Sequence, residues 1–368
     1  MRVAIDAREL CGRPTGVGRY LAGLLTAWAK SDDASRHQWT LLTHAPLAPE
    51  SGWNATLKIL DGAGGTAWEQ FALPGALRRE RPDVFFAPGY TAPLTVASPL
   101  VVTIHDVSFF AHPEWFSFRE GLRRRLLTAW SARRARRVIT DTEFSRAEIR
   151  RHIGIPDDRT RVIPLGISHD RVNARLSARP NDRLNAPVVL YVGSVFERRR
   201  VDRLIAAFDD VAARVPGARL EIVGENRTRH PRLDLDALRL RSAHADRINI
   251  RSYVDDATLA GLYRDASVFA FLSEYEGFGL TPLEALVEGV PPVVLDTAVA
   301  RETCGGAARY VATNAGDRQI ADVIVEMLTD EAARADVLRQ AGDVLARYDW
   351  DRAAAQTLAV LEEAALGR

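Results

Sequence analysis

Cysteine is almost absent from this 368-residue chain, and so is lysine. Cys11 and Cys304 are the only thiols; so isolated a pair forms neither a metal-ligand pattern nor a disulfide framework, and a reducing, cytoplasmic setting is expected. Lys30 and Lys58 are the only lysines, so arginine carries nearly all the positive charge. Neither sign of charge dominates, with 49 basic against 48 acidic residues, and a nucleic-acid partner is therefore not expected. Long hydrophobic runs are missing too. The most apolar long segment, Val84 to Ile104, is broken by Pro88, Gly89, Pro93 and Pro99, so no membrane-spanning helix is expected. Arg2-Val3-Ala4-Ile5-Asp6 reads as a strand from the outset, which leaves no room for a secretory leader.

What is present is the composition of a globular protein, 47% hydrophobic and 26% charged. The chain is too long for one ordinary core and fits two domains. Short apolar strands alternate with helical stretches over residues 1–170, the pattern of a parallel sheet covered on both faces. Strands are predicted at Val3–Asp6, Trp39–Leu42, Leu57–Leu60, Val84–Phe86, Leu100–Ile104, Val138–Thr140 and Arg161–Ile163. Residues 171–187 are polar, with Pro180, Asn181, Asp182 and Pro187, and read as a linker. A second α/β series, 188–350, starts at Val188-Val189-Leu190-Tyr191-Val192 and continues at Leu220–Val223, Ile248–Ile250, Val268–Leu272 and Val293–Leu295. The last helix, 352–366, completes the chain.

The most informative stretch runs from Val268 to Leu295. A doubly buried strand is followed by a loop with two acids and two glycines, then by Thr281-Pro282-Leu283-Glu284. Thr as N-cap, Pro at the first helical position and Glu three residues on predict a helix start. Its free N–H groups and dipole favour an anion, most simply a phosphate. Glu276 and Glu284 flank that anion site. A carboxylate beside a phosphate suits the hydroxyls of an attached sugar or ribose. Taken singly, Glu276 also reads as an exposed loop acid and Glu284 as part of a capping box.

Three further turns lie at carboxyl ends of predicted strands, where open α/β sheets bind ligands. Arg198-Arg199-Arg200 follows the first strand of the second series, where guanidinium groups could clamp a diphosphate; three solvated arginines is the alternative. Gly16-Val17-Gly18 starts a dinucleotide-type turn without its third glycine, and equally reads as a tight turn before a helix from Tyr20 to Lys30. Val101-Val102-Thr103-Ile104-His105-Asp106 ends a strand on two polar residues, either facing a ligand or satisfied internally. Residues 119–137 form a cationic amphipathic helix with Leu122, Leu126, Leu127, Trp130 and Ala135 as its expected buried face. That helix is either a solvated face or a surface for anionic lipid, with Trp115, Phe116 and Phe118 upstream as anchors. A helix is expected to open through a Ser145-x-x-Glu148 capping box.

Glu276-Gly-Phe-Gly-Leu-Thr-Pro-Leu-Glu284 resembles the E-x7-E signature of the retaining glycosyltransferases of family four, and the other motifs follow in that family's order along essentially the whole chain. The resemblance implies an α/β protein of the GT-B fold, with two Rossmann-like doubly wound domains facing a cleft. Residues 1–170 would be the acceptor domain, with the last helix packed back on it, and 188–350 the donor domain. It implies that Glu276 contacts the transferred sugar and Glu284 the ribose, and that the backbone of Phe278, Gly279 and Leu280 meets the diphosphate and sugar. It gives Arg198 and Arg199 the leaving diphosphate, Tyr253 and Val254 the base, Gly16 and Val17 the diphosphate or acceptor, His105 the sugar, and Asp106 the acceptor side or the loop. Arg199 stands where the family usually has Lys, and Ser194 where many members have Arg.

The implied activity is hexosyl transfer from a sugar nucleotide, with a lean to GDP-mannose, to a glycan or lipid-linked acceptor. Transfer would proceed with retention and without metal or cofactor, as in polysaccharide biosynthesis at the cytoplasmic face of a membrane. The residues leave three alternatives open: a sugar-nucleotide epimerase of similar build, a non-catalytic binding protein for sugar nucleotides, and a nucleic-acid-binding role for the Arg119 to Arg137 helix, which would show as steeply salt-dependent binding.

Overall fold

A computed structural model describes residues 1–12, 16–47, 52–167, 187–229 and 232–367. The chain divides into two compact units, Met1–Gly166 with Tyr348–Arg368, and Ile167–Arg347. The expected linker, apart from Pro187, lies outside the described residues.

The first unit holds a seven-stranded, wholly parallel sheet: β1 (Arg2–Asp6), β2 (Gln38–Thr43), β3 (Thr56–Ile59), β4 (Val84–Ala87), β5 (Leu100–Thr103), β6 (Arg137–Thr140) and β7 (Thr160–Val162). Its order, β3-β2-β1-β4-β5-β6-β7, is doubly wound, with the switch in direction between β1 and β4. Every residue of β4 and β5 is buried, which is why both read as unbroken apolar runs rather than alternating ones. On one face lie α1 (Gly16–Trp28) and the last helix of the chain, Trp350–Ala365. The Trp28 indole donates to Ala354 O at 2.9 Å, and Arg137 and Arg161 both hold Glu363. The other face is covered by α2 (Gly65–Glu80), α3 (Phe118–Arg134) and α4 (Glu143–Ile153), whose Trp68, Leu73, Ala129, Ala132, Ile149 and Ile153 join one core with Phe85 and Val102.

The second unit holds six parallel strands: β8 (Val188–Val192), β9 (Arg219–Val223), β10 (Ile248–Arg251), β11 (Val268–Phe271), β12 (Pro292–Leu295) and β13 (Arg309–Val311). Their order, β10-β9-β8-β11-β12-β13, repeats the doubly wound scheme with its switch between β8 and β11. Two Rossmann-like α/β units are thus present. No helix among the described residues is long and apolar enough to cross a membrane.

Four local expectations need correction. The first helix begins at Gly16, not Tyr20, so Gly16 and Val17 occupy its first turn rather than a preceding loop. The α4 cap is Thr142, whose side chain accepts from Ser145 N at 3.0 Å; Ser145 sits inside the helix and is buried. Helix α3 buries Gly121, Thr128, Ala129, Ser131 and Ala132, and Ala129 and Ala132 join the core with Phe85 and Val102, because small side chains allow the closer approach. Its large side chains are displaced outward. Leu122 and Leu126 are exposed and Leu127 and Trp130 half-buried, leaving Ala135 as the one buried member of the expected face. The fourth correction, at Thr281, concerns the site itself.

Candidate active site

In the second unit the switch point brings the turn after β8 beside the turn after β11. Arg198 and Arg199 form a short 3-10 turn after β8 that leads into α5 (Val201–Arg214). Glu276 lies on the loop that leaves β11. Arg199 Nε donates to Glu276 Oε1 at 2.8 Å, and its Nη1 to Ser194 O at 3.0 Å. Arg198 Nε donates to Tyr275 O at 3.0 Å, with its Nη2 3.6 Å from Glu276 Oε2. Ser273 Oγ adds a second hydrogen bond to the carboxylate at 2.9 Å. One carboxylate thus bridges two guanidinium groups. Gly193 makes room for this, since a Cβ there would lie 2.7 Å from Arg199 Nη1. Phe196 and Phe271 flank the Arg199 guanidinium at 5.5 and 5.0 Å, close enough for cation–π attraction.

Burial by itself would raise the pKa of Glu276. The two arginines and the Ser273 hydroxyl outweigh it and hold the carboxyl at about 2. Arg199 is held above its usual value, the attraction of Glu276 overcoming desolvation. The group is therefore charged throughout the neutral range, a fixed anion between fixed cations.

The helix that follows, α6 (Leu280–Val287), does not begin at Thr281. Its N-cap is Gly279, with left-handed φ of 87° and no side-chain cap. A Cβ at Gly279 would meet no atom within 4 Å, so backbone conformation rather than crowding is what calls for glycine. Thr281 is consequently the second helical residue, and its buried hydroxyl has no hydrogen-bond partner. The helix places the N–H groups of Leu280 and Thr281 in its first turn, where no intrahelical acceptor exists and the dipole favours an anion. Pro282 has no N–H to offer. Glu284 stands half-buried on the next turn, outside any capping box with Thr281. A small cavity of about 20 Å³ adjoins Glu276, Phe278 and Gly279 and reaches back to Cys304, whose thiol burial pushes up to about 11. Tyr253 and Val254 lie past the end of β10, two strands away from β8; Tyr253 is 63% exposed and Val254 half-buried.

In the first unit His105 and Asp106 follow β5. His105 Nδ1 lies 2.8 Å from Asp141 Oδ2 and its Nε2 3.0 Å from Pro88 O. Both partners are acceptors, so satisfying both nitrogens requires the imidazolium. Burial disfavours that charge, but Asp141 outweighs it and raises the pKa. Tyr20 and Tyr90 pack edge-on to the ring at 4.9 and 5.6 Å. Asp106 orients its own loop: Oδ1 accepts from Ser108 N at 2.8 Å and Oδ2 from the Tyr90 hydroxyl at 2.9 Å. Val17, in the first turn of α1, packs toward Gly89. No sequence motif marks Asp141, Tyr90 or Ser273, whose contacts with His105, Asp106 and Glu276 emerge only from the fold. Among the described residues no three His, Cys, Asp or Glu side chains are grouped to hold a metal ion.

Comparison with known proteins points one way. Residues 173–343 match the family described as Glycosyl transferases group 1, and residues 14–171 the one described as Glycosyltransferase Family 4. The O-antigen chain mannosyltransferase B of Escherichia coli is 28% identical over 308 residues, 77% of this chain and 75% of that protein. A GDP-mannose:cellobiosyl-diphosphopolyprenol alpha-mannosyltransferase of Komagataeibacter xylinus is 29% identical over 276 residues, 72% of this chain and 67% of that one. Among solved structures, a sucrose-phosphate synthase of Thermosynechococcus elongatus superposes with a TM-score of 0.77 at 18% identity, covering 100% of both chains. WaaG, a glycosyltransferase involved in lipopolysaccharide biosynthesis, does so with a TM-score of 0.74 at 18% identity over 98% of this chain and 99% of that one.

Proposed function

We propose that this chain, which belongs to the family four glycosyltransferases of the GT-B fold, moves a hexosyl group from a sugar nucleotide to a glycan or lipid-linked acceptor with retention of configuration. The observation that carries the reading is the Arg198–Glu276–Arg199 bridge, set at the switch point of the second sheet beside the N-terminus of α6. The hard step is cleavage of the anomeric C–O bond, which sends an electron pair onto the diphosphate. Two guanidinium groups and a helix N-terminus stabilise charge that develops there. The acceptor oxygen bonds to the anomeric carbon from the face the diphosphate leaves, and its proton passes to the departing phosphate oxygen. No enzyme nucleophile, metal or cofactor is part of this reading.

Glu276 positions the sugar and Glu284 the ribose. The backbone of Phe278, Gly279 and Leu280 meets the diphosphate, and Tyr253 and Val254 pack on the base. The backbone of Gly16 and Val17 serves the diphosphate or the acceptor. His105 contacts the transferred sugar. With both its ring nitrogens engaged, that contact falls to the ring's carbon edge or the main-chain N–H. Asp106 shapes the loop on the acceptor side.

A mannosyl donor is favoured by the two mannosyltransferase relatives, one of which carries GDP-mannose in its name. Glucosyl transfer is the second reading, since HepE of Anabaena, 18% identical, was solved with UDP-glucose. A panel of GDP-, UDP- and dTDP-sugars, with a chelator present and the anomeric configuration of the product read by NMR, separates them. Turnover of GDP-mannose with an α-linked product supports the reading. Interconversion of the donor without acceptor would make the chain an epimerase, and binding without turnover a binding protein.

A further inference from the structure

A buried charged cluster sits at the carboxyl edge of the first sheet, beside its switch point. Asp6 ends β1, Arg8 follows two residues on, and Glu69 lies in the second turn of α2. Both acidic side chains are only 3% exposed. Arg8 joins them: its Nη2 lies 2.8 Å from Asp6 Oδ2, and its Nη1 donates to Glu69 Oε2 at 2.9 Å and to Gly65 O at 3.2 Å. Two buried carboxylates share this cation, and burial pushes Asp6 up to about 6 although Arg8 pulls against it. Glu69 is the worse supplied of the two. Its Oε1 has no partner among the described residues, so Oε2 takes both of its hydrogen bonds, the second from the Thr91 hydroxyl at 3.0 Å.

Thr91 belongs to the turn that leaves β4, Pro88-Gly89-Tyr90-Thr91. Tyr90 holds a left-handed φ of 64° there, a conformation that is strained for an aromatic residue and lasts only where the surroundings impose it. Tyr90 N donates to Thr103 O at 2.8 Å and Thr91 N to Gly89 O at 2.7 Å, while Ala92 N donates to Ser131 Oγ at 2.9 Å. The bond from Thr91 to Glu69 ties the middle of the turn to α2 and, through Arg8, to β1. The same turn encloses His105. Pro88 O lies 3.0 Å from its Nε2, and the Tyr90 ring packs edge-on at 5.6 Å. Asp141, Asp106 and Tyr20 complete those surroundings, and Arg124 acts on Tyr90 from α3. A turn that shifts carries the acceptor of Nε2 away with it.

We propose that Arg8, Glu69 and Thr91 are positioning residues for His105: they lock the turn after β4 in its strained form, so that Pro88 O and the Tyr90 ring hold the imidazole in place. The inference rests on the reading that His105 contacts the transferred sugar, and it gives residues of β1 and α2 a part in transfer without any contact with substrate. A cluster that only fastened α2 to the sheet would be complete without Thr91, since Arg8 already joins Asp6, Glu69 and Gly65 O. The threonine is what extends it to the strained turn.

Thr91→Val removes the hydroxyl and keeps the shape, so it is the deciding variant. In the full chain with ring-labelled histidine, the His105 signals are identified by their loss in His105→Gln. They should move in Thr91→Val, and the His105 pKa should fall as Pro88 O draws away from Nε2. Thr91→Ser, which keeps the hydroxyl, should restore both. Glu69→Ala should reproduce the change, and adding Thr91→Val to it should do nothing more, as for two residues that act through one contact. In transfer assays Thr91→Val should lower kcat about tenfold with the donor KM unchanged. The NMR measurement needs no donor, so a chain that transfers no sugar would fail the transferase reading while His105 still decides this one. His105 signals and titration in Thr91→Val identical to wild type overturn the proposal. So does a Thr91→Ser variant no better than Thr91→Val, or a Thr91→Val variant that melts earlier with His105 unmoved, which makes the cluster a brace for α2 alone.

Discussion

Replacing Glu276 by Gln separates the work of its charge from that of its shape. A carboxyl held at about 2 instead of 4.5 is stabilised by roughly 3 kcal/mol at neutral pH, at 1.36 kcal/mol for each tenfold. Gln keeps the volume and an acceptor oxygen for Arg199 Nε and Ser273 Oγ but loses the attraction of both arginines. We expect about 2 kcal/mol of lost stability, a fall in Tm of roughly 4–8 °C for a unit of this size. The sign with pH is set by the depressed pKa. The stabilisation is complete above the unfolded value of 4.5 and disappears as pH falls toward 2. Melting curves of wild type and Glu276→Gln should therefore run apart at neutral pH and converge between those limits.

Binding and turnover should respond in opposite directions. Glu276 bridges Arg198 and Arg199. The Gln variant frees both guanidinium groups of that counter-charge, so nucleoside diphosphate should bind as tightly as to wild type or more tightly, by calorimetry. Transfer should fall by ~10²-fold or more, because the sugar loses its positioning group. A variant with wild-type turnover, or one in which diphosphate affinity collapses along with activity, would refute this division of roles.

Arg199→Lys keeps the charge but cannot reach Glu276 Oε1 and Ser194 O together; kcat should drop ~10²-fold, the cost of one lost donor to a developing anion, with KM little changed. Gly279→Ala forces a left-handed φ on alanine and should cost ~1–2 kcal/mol, read from denaturant midpoints, while weakening diphosphate binding. Asp141→Asn removes the charge that raises the His105 pKa. The His105 pKa should then fall, followed by NMR of the ring protons, with about 3 kcal/mol of stability lost as a buried pair is broken. Because the folded His105 pKa is raised, its stabilisation in wild type is whole below the unfolded value and drains away as pH rises through the folded one. In Asp141→Asn that pH dependence should vanish.

The fold was legible because burial on both faces writes itself into the sequence: Val84–Ala87, Leu100–Thr103 and Val268–Phe271 are unbroken apolar strings bounded by turns. The strand Arg309–Val311 went unread because an edge strand of three residues with an exposed end leaves no such string. Backbone dihedrals are the next loss. Thr281-Pro-Leu-Glu284 has every side chain of a capping box, yet Gly279 turns left-handed and the helix starts one residue before the threonine. Helix α3 departs from its pattern for another reason: apolar size marks burial only where space admits it, and the core accepts only small residues from this helix.

The polar partners were closer to hand than they looked. The doubly wound order makes β8 and β11 neighbours, so basic residues after one and an acid after the other must meet at the carboxyl edge. The same argument applied to β5 and β6 yields Asp141. Thr103 pairs with Ile139 in that parallel ladder, and two residues further on the register sets His105 opposite Asp141, where the 2.8 Å contact is found. What hid the aspartate was its distance along the chain, 36 residues from the histidine. Strand order and a parallel register suffice to recover a contact of that kind.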